Sequence, residues 1–312
     1  IYPFNVMFAV DVVKSDVQHR CAQEFAMLDV SHRRELMARL CFDRIAQKQD
    51  FIVERFHDTD NWSETAYFML LRALDIGQNR KLYESLARIV PYRYINLVGH
   101  NKRSIEALLL GSSGLLSRLS ELFKEEKYIA ELQAIYDYDA HKFGLEQMRV
   151  EDWQLTGHYG DNHPVVRLLQ VANVLSRHEH LLDSLLACRT KRDVERLFRC
   201  GEIPRWAHRF LMSENRGGTI SYDKAHMLGI NVVAQMQIFY SEYTLREDLN
   251  ERGLDLLEQL PAENNVFIRR WANLNVVAKN ALESQALLQL SKEYCSSSRC
   301  DRCLLRRFLD TE

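Results

Sequence analysis

With 312 residues, 46% of them hydrophobic, the chain is long enough to bury one large core or two ordinary ones. Its 41 basic and 43 acidic residues nearly cancel, which excludes a global field steering it towards nucleic acid or an anionic membrane, so either partner would need a local patch. No apolar run reaches the roughly 18 residues that span a bilayer, no signal peptide opens the chain, and seven cysteines with three of them tightly clustered do not make a disulfide framework; a cytoplasmic protein with reduced thiols is expected.

Residues 4–13 are dense in β-branched and aromatic types and predict a strand. A strand alone leaves its backbone donors and acceptors unpaired, so the chain is expected to be the C-terminal part of a longer design, or one whose first domain is reduced. Almost everything after it predicts helix: only 5 prolines and 12 glycines interrupt apolar residues spaced three and four apart. Asn61 with Glu64 fits a capping box ahead of the stripe Leu70, Leu71 and Leu74, and Gly77 is the expected stop. Further stripes run through Leu115, Leu116, Leu119, Leu122 and Phe123, after Gly111 and Gly114, then through Leu168, Val171, Ala172 and Leu175, then through Leu182, Leu185 and Leu186. Thr190 with Asp193 predicts another helix start, and Gly217-Gly218 a loop that divides the helices into two groups. The fold class is therefore mainly α, a multi-helix domain over residues 21–312 preceded by a short β remnant over residues 1–20.

Residues 188–216 hold eight Arg or Lys (Arg189, Lys191, Arg192, Arg196, Arg199, Arg205, Arg209, Arg216) against four acids, interleaved with Phe198, Trp206 and Phe210. Guanidinium groups contact phosphates and aromatic faces stack on bases, so nucleic acid would bind here. The competing reading is a solvated helical face whose aromatics point into the core. Arg269, Arg270, Trp271 and Lys279 form a second candidate, although either arginine equally suits a carboxylate such as Glu263. His158, His163, His178 and His180 are close in sequence, but residues two apart on a helix point in different directions and do not chelate well. Asn231 and Gln285 sit inside apolar helices, where an amide needs partners. No nucleophile elbow, glycine-rich phosphate loop or His-Glu-x-x-His motif occurs.

Cys300 and Cys303 have the two-residue separation that turns both sulfurs towards one ion, and Cys295 supplies a third. Cys41 and Cys188, on or near helices, read as small buried apolar residues.

The run Asn264 to Trp271, Ala278 to Ala281, Ser284 to Leu290 and Tyr294-Cys295 through Cys303 resembles the closing signature of a bacterial family, domain of unknown function 2851. Glu106 to Gly111 with Gly114 to Leu116, Asn162 with Pro164 and Arg167, Gly229 to Asn231, and Cys21 agree with it. The resemblance spans most of residues 21–303. It implies an N-terminal part similar to a PD-(D/E)xK nuclease core, of which residues 4–13 resemble only the last strand, with Ala9 where a histidine is expected and only Lys14 to Arg20 before Cys21. The paired carboxylates that such a core needs for a divalent cation are not in this chain, so any nuclease activity would reside in the missing part. The family's Arg-x-Arg-Pro is replaced by Gly157 to Gly160, a proline expected after Ala234 is Gln235, and the usual aromatic at the place of His163 points to packing there.

The resemblance also makes Cys21 the fourth sulfur, ahead of Cys200. Four thiolates from Cys21, Cys295, Cys300 and Cys303 suit tetrahedral Zn2+ and equally suit an iron-sulfur cluster; either way the site is closed and structural. The expected function is a non-catalytic, metal-stapled helical module of a nuclease-like protein that positions nucleic acid, the alternative being a structural or protein-interaction scaffold with no nucleic-acid role. An enzyme working through Asn231, Glu263 and Gln285 would require one pocket lined by all three.

Overall fold

Long amphipathic stretches with few breakers should fold as helices joined by short loops, and they do. A computed structural model describes residues 21–156, 160–199, 201–211 and 218–309, and among these every regular element is helical. The strand expected over residues 4–13, Ala9, Lys14 to Arg20, Gly157 to Tyr159, Cys200, Arg216 and Gly217 lie outside the described residues.

In chain order the α-helices are α1 Val30–Thr59, α2 Trp62–Arg72, α3 Arg80–Ile89, α4 Tyr92–Leu97, α5 Lys102–Ser112, α6 Leu115–Leu122 and α7 Lys127–Phe143, then α8 Pro164–Arg177, α9 Leu181–Ala187, α10 Lys191–Phe198 and α11 Tyr222–Leu228, and finally α12 Ala234–Thr244, α13 Glu247–Gln259, α14 Val266–Asn273, α15 Ala281–Gln289 and α16 Leu304–Leu309. Two π-helical segments, Gly229–Val233 and Leu290–Cys295, interrupt the regular ladder. The chain divides into two units, Ile1–Phe51 with Leu254–Glu312, and Ile52–Gly253. Gly218 lies within the second unit, so the division does not follow the glycine pair.

The second unit is built on α8, which is buried from Pro164 to Leu175 on every face, as expected of a helix hydrophobic all round. Helix α5 packs against α7 and α8, while α2 packs against α3, α4 and α9. Gly111 lets α5 approach α7, since a Cβ there would lie 2.2 Å from the Tyr136 ring. Gly114 takes φ 76°, turning the chain between α5 and α6.

Helix α2 starts as expected: the Asn61 side chain accepts from the N–H groups of Ser63 and Glu64. Glu64, however, does not fold back to complete a box. Its buried carboxylate accepts from the backbone of Tyr92 at 2.7 Å and of Arg93 at 2.9 Å, capping α4 instead. Helix α2 ends at Arg72, short of Gly77, because the buried Lys224 ammonium donates to the carbonyls of Ala73 at 2.9 Å and Leu74 at 2.7 Å and closes the helix there. At α10 the expected capping box is complete, with Thr190 and Asp193 exchanging side-chain and backbone bonds.

In the first unit α14 packs against α15. Asn265 caps α14 and Asn280 caps α15. The buried Trp271 indole donates to the Ser291 hydroxyl at 2.8 Å, fixing α14 to the π-helix at Leu290–Cys295.

Candidate functional site

The first unit contains both ends of the described chain, and with them the cysteines. Residues 21–27 are helical, and Ala22, Phe25 and Leu28 are buried, which anchors Cys21 at the start of that turn. Cys295 closes the π-helix, Cys300 opens a 3-10 turn, and Cys303 follows it immediately before α16. Cys303 is 8% exposed, whereas Cys21, Cys295 and Cys300 are half-buried. Burial raises the Cys21 thiol to about 11, and the neighbouring Cys303, then Glu24 and Cys300, push in the same direction. Burial also raises the Cys303 thiol, opposed by hydrogen bonds to its sulfur from the backbone of Arg306 and Leu305. Two N–H donors on one sulfur form an environment that favours a thiolate once a cation is present.

The donor chemistry of these four residues fits a soft, tetrahedral cation. Among the described residues no group of three or more His, Cys, Asp or Glu side chains is already arranged to hold a metal ion. Cys41 and Cys188 are buried, and burial raises both thiols to about 12, as inert apolar residues behave.

A second cluster in the same unit surrounds Gln285. Its Oε1 accepts from Arg44 Nε at 2.9 Å and from Lys48 Nζ at 3.0 Å, and its Nε2 donates to Glu263 Oε1 at 2.7 Å. Asn265 Nδ2 donates to the other Glu263 oxygen at 3.1 Å. Burial and the adjacent Arg44 pull Lys48 down to about 7, with Glu263 opposing. The structure therefore brings Glu263 and Gln285 together. Asn231 lies in the second unit, where its amide donates to the Met227 carbonyl of the preceding turn. Arg44 and Lys48 escaped sequence reasoning, although the signal was there: Lys48 occupies a position of the stripe Cys41, Ile45 and Ile52 where an apolar residue belongs.

In the second unit the basic segment spans α10 and the 3-10 turn Arg205–Phe210. Arg189, Arg192, Arg196, Arg199, Arg205 and Arg209 are exposed and Lys191 is half-buried. The spacing of Arg192 and Arg196 places them on one face of α10, opposite the buried Val194, Leu197 and Phe198, and Arg199 follows the last residue of the helix. Lys191 lies 3.8 Å from Glu195, Arg196 lies 3.9 Å from Asp193, and the Arg199 guanidinium sits 3.9 Å from the centre of the Tyr222 ring. Arg192 and Arg205 have no such partner among the described residues. The interleaved aromatics do not serve as a stacking platform, because Phe198 is buried and Trp206 packs against Phe123 with 5.6 Å between ring centres.

His163 stacks on Phe210 at 4.4 Å, which is the packing role its place suggested. Of the other candidate, Trp271 is buried while Arg269, Arg270 and Lys279 are exposed, and Arg269 binds Asn264 rather than Glu263. No helix among the described residues is long and apolar enough to cross a membrane.

A family model described as Protein of unknown function (DUF2851) matches residues 8–266. That stretch takes in Cys21 and the basic segment and stops short of Cys295, Cys300 and Cys303. No match was found among curated proteins or solved structures.

Proposed function

The chain belongs to the DUF2851 family of proteins of unknown function, and from that premise we propose that it is a non-catalytic helical module of a nuclease-like protein that positions nucleic acid by its phosphates. One observation carries the reading: Arg192 and Arg196 on α10 and Arg199 at its end are exposed, while Phe198 and Trp206 of the same segment are buried. Guanidinium groups without a stacking platform contact the sugar-phosphate backbone and do not read bases, so binding is independent of sequence and sensitive to salt.

The test is a gel shift with a duplex DNA probe at low salt. The intact chain is expected to retard the probe, and Arg192→Gln, Arg196→Gln and Arg199→Gln together are expected to abolish the shift. No shift at low salt by the intact chain removes the reading and leaves a structural or protein-interaction scaffold.

A structural metal completes the proposal. Cys21, Cys295, Cys300 and Cys303 would hold Zn2+ as a closed tetrathiolate, with an iron-sulfur cluster as the alternative occupant. Its support is that Cys303 and Cys300 act electrostatically on the Cys21 thiol, and that the backbone of Arg306 and Leu305 bonds the Cys303 sulfur. The metal supplies folding free energy and leaves no open position for substrate. Elemental analysis of the purified protein is expected to find one zinc per chain, lost in Cys300→Ser with Cys303→Ser; iron with visible absorption would name the cluster instead, and metal-free protein would remove the site.

A further inference from the structure

The second unit contains a cavity of about 390 Å3, walled by α6, the segment around Leu155 and the 3-10 turn Arg205–Phe210, that none of the roles above uses. A volume of that order suits a small organic ligand. Its floor is aliphatic, from Leu115, Leu119, Leu122, Leu155 and Val165. Two exposed cations, Arg118 and Arg209, join Thr156, His163 and Phe210 in the lining, and among the described residues no carboxylate is part of it. Among the described residues neither guanidinium has an ion pair. Arg209 is held in place by the Phe123 ring, 4.5 Å from its centre, which leaves its N–H edges directed away from that face.

Two unpaired guanidinium groups beside an apolar floor select an anion with an apolar body, because guanidinium binds carboxylate or phosphate oxygens strongly and the floor gains from burying hydrocarbon. A nucleobase fits the same lining poorly. Among the described residues Thr156 is the one hydroxyl there, and Phe210 already stacks on His163, so the polar edge of a base would enter largely unsatisfied. We propose that this cavity binds a free aliphatic carboxylate or alkyl phosphate, its chain on the leucine floor and its head group between Arg118 and Arg209.

Isothermal titration calorimetry with monomeric decanoate tests this, using decan-1-ol and adenosine monophosphate as comparison ligands. Saturable 1:1 binding of decanoate is expected, at least tenfold tighter than either comparison ligand and at least tenfold weaker in Arg118→Gln with Arg209→Gln. Both arginines are exposed, so the variant is expected to keep the circular dichroism and melting temperature of the parent. Arg118 lies outside the basic segment, so Arg118→Gln alone should weaken decanoate and leave the gel shift unchanged, which separates this site from the nucleic-acid reading. No saturable decanoate binding, an unchanged affinity in the double variant, or tighter binding of adenosine monophosphate or decan-1-ol overturns the proposal.

Discussion

Lys48 places an ammonium group on a helix stripe that otherwise buries carbon, and it donates to the neutral amide oxygen of Gln285 at 3.0 Å. Burial lowers its pKa to about 7 from an ordinary 10.5, so between those values the unfolded chain binds the proton that the folded chain has released. Its contribution therefore makes stability rise as pH increases from about 7 towards 10. Urea midpoints measured from pH 7 to 9 should rise in the parent, and the rise should be smaller in Lys48→Met; identical slopes would place the Lys48 proton elsewhere. Gln289 makes a complementary case. It is fully buried, and neither its amide nitrogen nor its oxygen has a hydrogen-bond partner among the described residues. A buried unsatisfied polar group costs about 1–3 kcal/mol. Gln289→Leu is thus expected to stabilise the fold by roughly 1 kcal/mol or more, read as a higher urea midpoint at constant m, whereas a loss of stability would mean that the amide holds something in solution.

At the scale of elements, close approach and capping decide where helices begin, end and touch. Gly111→Ala puts a carbon inside the Tyr136 ring, and overpacking of this kind costs about 1–3 kcal/mol, so the variant should melt lower while keeping its helical content. Much of this scale was legible in sequence. Asn61 and Thr190 begin helices as their side chains require, and the stripe Leu168, Val171, Ala172 and Leu175 is buried as its period predicts. What was not legible depends on contacts distant in sequence. Glu64 leaves its expected box to cap Tyr92 and Arg93, and Lys224 ends α2 from about 150 positions further along the chain. The π-helical turns at Gly229–Val233 and Leu290–Cys295, which carry Asn231 and Cys295, have no local signature.

For the whole molecule, the candidate sites were legible as residue types and their physical state was not. The arginines of residues 188–216 were visible in sequence as a charge excess, but only burial distinguishes a backbone-binding stripe from a base-stacking platform, and Phe198 and Trp206 are buried. The late cysteines were visible as a cluster, while the assignment of Cys21 to the same unit follows from a unit assembled from both ends of the chain. The central claim is electrostatic contact with a phosphate backbone, and the salt dependence of duplex DNA binding measures it most directly. Each neutralised phosphate contributes about 0.9 to the slope of log affinity against log salt. The parent is expected to show a negative slope that becomes shallower by up to about 3 when Arg192, Arg196 and Arg199 are replaced by glutamine. A slope unchanged by those replacements, or affinity indifferent to salt, would contradict it.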